Sequence, residues 1–483
     1  MRAIILTEVG KKIGFGHLNR CLSIETELKK HGIESDFVVN CKHVGKDLLR
    51  ANFLVFDWLR NRKKLYHLLK KSHFAIIDSY LAPLSLYQYI SGNIILSLYL
   101  DDNNRLTYPK GIVVNGNAYA SHLPYPRNKN QYLLGTKFTP LRAEFNQIDR
   151  KQIREKIMDI LITFGGSDVK NMTPRILKSI CHFYPEVNKK VLIGGGFKNI
   201  AEIRSNADPK TQLVFSPTGT RLKNFMQNSD IAISAGGQTI YELLRVGVPT
   251  IATAVADNQI LNVESLEKKK ILLNLERWKD ERIEDRIAAL MTRLKNQGLR
   301  KKMSQLGRKI IDGKGAERIV NVLLKCFIRE SVILRKARPA DMLGIFSLTN
   351  ESSVRRASFQ QKVISLDDHK KWFEEKVSDS SCLFFVVEFE KKIIGQLRLD
   401  IESHTALISI SVAQKFNGMG VGGLLMGYAV NYIRSHQIQI SRIIARIKTD
   451  NIASRNFFEK SGFKRKRHLQ TNTQKIDEYF YTI

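Results

Sequence analysis

The chain passes repeatedly from an apolar run through a glycine-rich turn into a segment with helical spacing. In the first instance Gly14, Gly16 and His17 follow the apolar residues 3–6, and apolar residues then recur from Leu18 to Gly32 at close to helical intervals. The next apolar run, 36–39, is predicted to be a second strand. Strands that alternate with helices favour an α/β fold built on parallel sheets.

Polar residues follow the next two predicted strands. The apolar run 74–77 ends in Asp78-Ser79-Tyr80, and the run 94–100 ends in Asp101-Asp102. Because ligands bind at the carboxyl ends of strands in open α/β sheets, we expect these residues and His17 to lie on one rim. A histidine at the positive end of a helix tends to stay neutral and able to accept a proton.

A second α/β series begins near residue 157. Its apolar runs precede Gly165-Gly166, Gly194-Gly195-Gly196 and Gly236-Gly237, and the last turn leads into a helix that carries Glu242. Exposed amides at Gly236 and Gly237 can hold a diphosphate, and Glu242 can accept two ribose hydroxyls. We predict two doubly wound lobes, residues 1–148 and 149–328, with a ligand-binding cleft between them.

Residues 1–328 resemble the hydrolases of pseudaminic acid biosynthesis, which act on UDP-2,4-diacetamido-2,4,6-trideoxy-β-L-altropyranose. This resemblance implies a two-lobed, GT-B-like architecture, which nucleotide-sugar glycosyltransferases share. The matching stretches are 14–17 with 20–22, 77–80, 135–145, 164–168, 235–237, Glu242, 257–259 and 312–315.

The resemblance also implies roles for individual residues. His17 would activate a water that attacks the anomeric carbon and expels UDP with inversion, and Glu242 would hold the ribose. The other residues expected to bind the UDP-sugar are Gly16, Asp78, Tyr80, Gly236, Gly237, Gln238, Asn258 and Gln259. One departure is Leu6-Thr7-Glu8 where the family carries Arg-x-Asp at the end of its first strand, which leaves a changed sugar specificity open.

Residues 331–483 are predicted to form a third domain. The apolar run 407–412 leads into a compact glycine loop, 417–423, and then into an apolar helix from Leu424. Successive amides in such a loop can surround a pyrophosphate. With the strand 442–448 and the stretch 451–463, these blocks resemble the GNAT superfamily of N-acetyltransferases. The residues that the resemblance assigns to acetyl-CoA are Ile410, Val412, Asn417, Gly418, Met419, Gly420, Val421, Gly422, Gly423 and Asn451.

Three residues qualify the GNAT resemblance. Asn417 stands where Gln or Arg usually opens the loop, and Phe458 replaces the frequent tyrosine that protonates the departing thiolate. Another residue or water must then supply that proton, or the step needs no dedicated acid. The pattern that includes His369 looks like the pseudaminic-pathway member, which acetylates a 4-amino UDP-sugar, although a histidine on an amphipathic helix is more often structural.

Composition limits the classes of partner. The formal net charge is +32, yet no nucleic-acid-binding motif focuses the basic residues, so a solvated basic surface and two small anionic ligands are favoured over nucleic acid. The 5 cysteines form no CxxC pair, so neither a disulfide framework nor a metal site is expected. No membrane span or signal peptide is evident, which predicts a cytoplasmic protein.

The combined pattern predicts a bifunctional enzyme with acetyl-CoA as cosubstrate: acetylation of a UDP-4-amino-4,6-dideoxy sugar, then hydrolytic release of UDP. The alternative is a two-lobed UDP-sugar glycosyltransferase fused to an acetyltransferase. A basic scaffold that binds nucleotides or nucleic acid is a third hypothesis. The stereochemistry of the sugar and the oligomeric state stay open.

Overall fold

The computed structural model describes residues 1–10, 15–41, 52–126, 130–280, 282–470 and 475–483. Gly14, the first glycine of the predicted N-terminal turn, lies outside these residues. The chain divides into two compact units, Met1–Leu323 and Leu324–Ile483. Within the described ranges, no helix is long and apolar enough to cross a membrane.

The first sheet of unit 1 contains seven strands: β1 Arg2–Val9, β2 Glu34–Cys41, β3 Leu54–Val55, β4 Phe74–Asp78, β5 Leu96–Leu100, β6 Ile112–Asn115 and β7 Gln131–Leu134. They pair in parallel, in the order β3-β2-β1-β4-β5-β6-β7. The helices between them are α1 Gly16–Lys30, α2 Arg62–Leu69 and α3 Leu84–Ser91. The strands and the first helix that were predicted here are confirmed, although β5 begins two residues later than the apolar run at 94.

The second sheet of unit 1 contains six strands: β8 Asp159–Thr163, β9 Asn188–Ile193, β10 Thr211–Phe215, β11 Ile231–Ala235, β12 Thr250–Ala254 and β13 Leu273–Arg277. They are also parallel, in the order β10-β9-β8-β11-β12-β13. The helices are α4 Met172–Phe183, α5 Ile200–Ser205, α6 Gly219–Gln227, α7 Thr239–Val246, α8 Ile260–Lys268, α9 Ile283–Leu294, α10 Gln297–Ile310 and α11 Gly315–Ser331.

Both faces of the second sheet are buried. Ile160 and Ile162 of β8 belong to one apolar cluster, while Leu161 between them belongs to another on the opposite face. This is why β8 is a continuous apolar run, as expected for a parallel strand covered by helices on both sides. The two-lobed, doubly wound α/β class predicted for this part of the chain is confirmed.

Unit 2 is built on a mostly antiparallel sheet. Its strands are β14 Ile333–Lys336, β15 Cys382–Phe389, β16 Lys392–Glu402, β17 Thr405–Val412, β18 Arg442–Lys448, β19 Lys464–Gln470 and β20 Lys475–Thr482. The order is β14-β15-β16-β17-β18-β20-β19, and only β17 and β18 pair in parallel. The helices are α12 Met342–Thr349, α13 Ser352–Ala357, α14 Leu366–Ser378, α15 Val421–Ser435 and α16 Ile452–Lys460.

The division between the units falls inside helix α11, a few residues before the limit predicted at 328. Phe327 near the end of that helix is fully buried, and its ring lies 5.8 Å from that of Phe389 on β15. The last turns of α11 therefore contribute to the core of unit 2. The limit at residue 148 between the lobes of unit 1 stays a prediction.

Candidate active sites

The predicted residues of unit 1 converge on a cleft of about 640 Å³ that loops of both sheets line. This volume lies within the usual range for small-molecule sites. Of the residues predicted to bind or hydrolyse a UDP-sugar, those that line the cleft are Gly16, His17, Tyr80, Gly236, Gly237, Gln238, Glu242, Asn258 and Gln259.

His17 is held at the start of α1 by a buried carboxylate. Its ring is 5% exposed, and its Nδ1 lies 2.5 Å from Oδ1 of Asp78, at the end of β4. Arg20, one turn further along α1, donates from Nε and Nη2 to the two oxygens of Asp78, at 2.5 and 2.7 Å. Because a carboxylate paired with Arg20 is anionic, it accepts in this contact, so Nδ1 of His17 is the nitrogen that faces Asp78 and Nε2 is the nitrogen that Asp78 does not engage.

Asp78 was expected to contact the ligand, and the structure corrects this expectation. The side chain is fully buried and is not among the residues that line the cleft. Burial is the largest single effect and raises the pKa of Asp78, but the charges and hydrogen bonds of Arg20 and His17 together outweigh it, and the pKa is lowered. Asp78 is therefore a positioning residue for His17.

A second carboxylate completes the network. Asp102 accepts a hydrogen bond from Nη1 of Arg20 at 2.7 Å and another from the hydroxyl of Tyr80. The ring of Tyr80 meets that of His17 edge to face, with centroids 4.4 Å apart. Burial and the charge of Asp102 raise the pKa of the Tyr80 hydroxyl, so it keeps its proton and presents a neutral, oriented side chain to the cleft.

The departure at Glu8 has a structural explanation. Glu8 is buried and accepts hydrogen bonds from the hydroxyl of Ser79, at 2.6 Å, and from the amide of Tyr80, at 2.7 Å. It therefore holds the turn that carries Tyr80. An acidic residue on β1 thus still helps to shape the cleft beside Tyr80, although its carboxylate is occupied by this turn.

The glycine turn before α7 differs in detail from the prediction. The amide of Gly236 donates to the carbonyl of Thr253 on β12, at 2.9 Å, so it is already used. The amides of Gly237, Gln238 and Thr239 at the start of α7 have no partner within the described part of the chain. The anion-binding position is therefore shifted by one residue, onto 237–239.

The amide side chains near this helix are partly engaged. Gln238 donates from Nε2 to the carbonyl of Pro140 at 2.9 Å, and Oε1 of Gln259 accepts from the amide of Val255 at 3.1 Å. Asn258 is exposed on the rim of the cleft. Oε1 of Gln238, Nε2 of Gln259 and the whole side chain of Asn258 are thus left for a ligand.

Glu242 lies one turn into α7 and forms a bidentate ion pair. Nε and Nη2 of Arg142 donate to its two carboxylate oxygens, each at 2.7 Å. Glu242 is 3% exposed, and both residues line the cleft. Burial is the largest single effect and lowers the pKa of Arg142, but the charge and hydrogen bonds of Glu242, with the charge of Glu144, together outweigh it, and the pKa is raised.

In unit 2, β17, the strand predicted to hold acetyl-CoA, separates from its neighbour β18. β17 and β18 pair over Thr405–Leu407 and Arg442–Ile444, and on that side Ile408–Val412 has no strand partner among the described residues. Ile410 and Val412 are half-buried along this gap. A strand edge that lacks a neighbour offers amides and carbonyls to an extended ligand.

The loop after β17 presents a row of amides. Gly418 and Gly420 have φ angles of +77° and +88°, which favour glycine. The amides of Asn417 and Met419 are used inside the loop, bonding to Gln414 and Phe416. The amides at residues 418 and 420–423 have no partner among the described residues. These amides lie around the start of α15. This is an anion-binding arrangement.

The remaining predicted residues of unit 2 have structural partners. Oδ1 of Asn451 caps α16 by accepting from the amide of Ser454 at 3.0 Å. Phe458 is buried against Phe463. His369 is buried among aromatic rings, and burial lowers its pKa, which favours the structural interpretation of that residue. Across the described ranges, the acidic, cysteine and histidine side chains form no group that could hold a metal ion.

The sequence did not single out Arg20 and Arg142 for a role, although both lie in stretches that match the hydrolases. The available signal was an arginine one turn after His17, on the same face of a helix. For Arg142 no local signal existed, because its partner is 100 residues away.

Comparisons with known families agree with this geometry. Residues 160–317 match the Glycosyltransferase family 28 C-terminal domain, and residues 331–464 match the Acetyltransferase (GNAT) domain. The second unit is a GNAT domain. The residues matched by the GNAT family include the loop at 417–423 and both strands that border the gap, β17 and β18.

Related proteins cover both parts of the chain. An uncharacterized protein of Methanocaldococcus jannaschii is 22% identical over the full length of both chains. A Helicobacter pylori protein named pseudaminic acid cytidylyltransferase and UDP-2,4-diacetamido-2,4,6-trideoxy-β-L-altropyranose hydrolase is 27% identical over 53% of this chain and 44% of its own length. A Campylobacter jejuni hydrolase of the same substrate is 25% identical over 48% of this chain and 80% of its own length. The chain therefore fuses a region related to these hydrolases with a GNAT domain.

Proposed function

We propose that the chain is a bifunctional nucleotide-sugar enzyme. Unit 2 transfers an acetyl group from acetyl-CoA to the 4-amino group of a UDP-4-amino-4,6-dideoxy sugar that already carries an acetamido group at C2. Unit 1 then releases UDP from the resulting UDP-2,4-diacetamido-2,4,6-trideoxy sugar by hydrolysis. The observation that carries the hydrolase proposal is that His17, paired with Asp78, lines the same cleft as the unpartnered amides of α7.

In the hydrolytic step, Nε2 of His17 takes a proton from a water molecule. The water oxygen forms a bond to the anomeric carbon while the bond from that carbon to the phosphate oxygen breaks, and the electron pair leaves with UDP. Attack from the face opposite UDP inverts the anomeric centre. Asp78 stabilises the imidazolium that forms, because its anionic carboxylate accepts the hydrogen bond from Nδ1.

The leaving group is stabilised by the start of α7. The free amides at 237–239 and the positive end of the helix face the cleft, where charge develops on the diphosphate. Glu242 binds the ribose hydroxyls one turn further along. Gln238, Gln259 and Asn258 offer polar groups to the diphosphate and the sugar, and Tyr80 lies on the sugar side beside His17.

In the acetyl transfer, the amides of the loop at 418–423 bind the pyrophosphate of acetyl-CoA, and the unpaired edge of β17 holds the rest of the cosubstrate. The amine nitrogen attacks the thioester carbonyl carbon and loses one proton as the carbon–nitrogen bond forms. The carbon–sulfur bond breaks, and the thiolate leaves and takes up a proton. Phe458 cannot supply that proton, so the acid is a different group or water. The match to the GNAT family supports this half of the proposal.

Glycosyl transfer is the second candidate, because part of unit 1 matches a glycosyltransferase family. The two functions differ in whether UDP is released without an acceptor hydroxyl. The deciding experiment incubates the chain with the UDP-4-amino sugar and acetyl-CoA and follows products by mass spectrometry. Appearance of the free diacetamido sugar and UDP supports hydrolysis, while UDP release that requires an added sugar acceptor supports glycosyl transfer.

A further inference from the structure

The ion pair between Arg142 and Glu242 joins the segment that links the two sheets of unit 1 to helix α7. Both carboxylate oxygens of Glu242 accept from one guanidinium, each at 2.7 Å. Such bidentate pairing fixes the plane of the carboxylate as well as its distance. Each oxygen accepts one hydrogen bond from Arg142 and retains a second lone pair for another donor.

The segment that carries Arg142 is itself tied to α7. Nε2 of Gln238 donates to the carbonyl of Pro140 at 2.9 Å. Further along, Arg245 donates to the carbonyls of Phe145, at 2.9 Å, and Asn146, at 2.7 Å. Arg142 therefore projects from a fixed backbone, and it holds a glutamate that would otherwise be a buried, unpaired carboxylate able to change rotamer.

We propose that Arg142 is a positioning residue that fixes Glu242 for recognition of the vicinal hydroxyls of a ribonucleotide. This inference rests on the proposed function, in which Glu242 faces the ribose of UDP. The remaining lone pairs of the carboxylate accept hydrogen bonds from the 2′- and 3′-hydroxyls. Selectivity for ribose over 2′-deoxyribose then depends on Arg142, because Arg142 fixes the carboxylate that binds the hydroxyls.

The test measures binding of UDP and 2′-deoxy-UDP to the full chain by calorimetry. The unmodified chain should bind UDP about 10- to 100-fold more tightly, because a hydrogen bond to a buried charged group is lost in the deoxy compound. In Arg142→Met this ratio should fall to about 1–3. Arg142→Lys keeps the charge but not the bidentate geometry, so its ratio should lie between the two.

Arg245→Met is the matched control. It removes contacts to the same linking segment but leaves the pair of Arg142 and Glu242 intact, so it should keep the ratio of the unmodified chain. A ratio that is unchanged in Arg142→Met, or that falls equally in Arg245→Met, overturns the inference. If Arg142→Met does not fold, Arg142→Lys decides, and an unchanged ratio in that variant overturns it.

The same measurement separates this inference from the proposed function. Absence of UDP binding to the unmodified chain contradicts the proposed function itself. UDP binding without any preference over 2′-deoxy-UDP contradicts the role of Glu242 at the ribose, and with it the role of Arg142, but leaves the hydrolase proposal standing.

Discussion

His17 depends on its neighbours for the chemistry proposed for it. Asp78 engages Nδ1 of the ring, and Arg20 keeps Asp78 anionic. A histidine placed at a helix start by sequence alone has no defined tautomer. The buried carboxylate behind it is what directs the accepting nitrogen toward the cleft.

His17→Ala should lower the rate of UDP release by about 10²–10⁴-fold, the range for loss of a general base. Steady-state assays on acetylated UDP-sugar measure this change. Acetyl transfer, assayed on the same preparation by release of CoA thiol, should proceed at the rate of the unmodified chain. Near-normal hydrolysis by the variant would remove His17 from the mechanism.

Arg20→Met should lower the stability of the protein, and the loss should be larger at pH 7 than at pH 5. With Arg20 present, the pKa values of Asp78 and Asp102 are lowered. The two carboxylates therefore add to the free energy of unfolding above about pH 4, and this stabilisation is lost only on acidification below it. Without Arg20, burial raises both pKa values. The variant should be less stable by about 3–5 kcal/mol at pH 7, and this deficit should shrink as the pH falls toward 5.

Melting temperatures at pH 7 and pH 5 test this prediction. Arg175→Met is the control, since Arg175 pairs with the half-exposed Glu284 and such pairs contribute about 0–1 kcal/mol. That variant should show little change at either pH. A deficit of Arg20→Met that is the same at both pH values would mean that the two carboxylates are not the cause.

The sequence predicted which residues meet in the cleft better than what each one does there. Strand ends and helix starts are local features, so patterns alone place His17 and Tyr80 on one rim and Glu242 on the helix that follows Gly236-Gly237. Partner choice is not local. Arg142 and Glu242 are 100 residues apart, and Asp78 at its strand end is buried in contact with His17, Arg20 and Cys21 of α1.

At the scale of elements, hydrogen bonding between strands decides which amides of a glycine turn are free. In the turn before α7, the amide of Gly236 bonds to β12, and the amides at 237–239 have no partner among the described residues. The strands themselves were predictable, because apolar runs bounded by glycine are strong signals. The early separation of β17 from β18 was not, since it depends on register between distant segments.

Gly236→Ala and Gly237→Ala should differ in stability. A Cβ at Gly236 would lie 2.5 Å from Cγ2 of Val263, whereas a Cβ at Gly237 would lie 3.5 Å from Nε2 of Gln259, an ordinary contact. Gly236→Ala should therefore lose about 1–3 kcal/mol of stability through overpacking. Gly237→Ala should keep the melting temperature of the unmodified chain. Equal melting temperatures for both variants would contradict this assignment of the turn.

Gly420→Ala should weaken acetyl-CoA binding through backbone strain. The position has open space, with only Cγ of Lys325 at 3.6 Å, but its φ of +88° is unfavourable for any residue with a Cβ. Strain of about 1–3 kcal/mol converts to a rise of about tenfold in the KM for acetyl-CoA. Gly427→Ala is the control, because it lies within α15 with open space around it and no positive φ. That variant should keep the KM unchanged.

At the scale of the whole chain, the two proposed activities depend on different residues, but the two units are not separated by a clean break in the sequence. The free amides of α7 belong to unit 1 and those of the loop before α15 to unit 2. Helix α11 spans the division, and Phe327 near its end is part of the core of unit 2. Cutting at residue 328 would therefore remove an apolar side chain from the second unit. Single substitutions in the full chain test independence more cleanly than truncation does.

Two full-length single variants, His17→Ala and Gly420→Val, should each block one of the two reactions, and a mixture of the two proteins should carry out both. With UDP-4-amino sugar and acetyl-CoA, His17→Ala should accumulate the acetylated UDP-sugar. Gly420→Val places a larger side chain at the strained position and should leave the amino sugar unacetylated while hydrolysing supplied acetylated UDP-sugar at the normal rate. A mixture of the two should release UDP and the free diacetamido sugar, because the intermediate diffuses from one chain to the other; mass spectrometry follows each species. Loss of hydrolysis in folded Gly420→Val would show that the two sites are coupled and that the acetyl-CoA loop influences the cleft of unit 1.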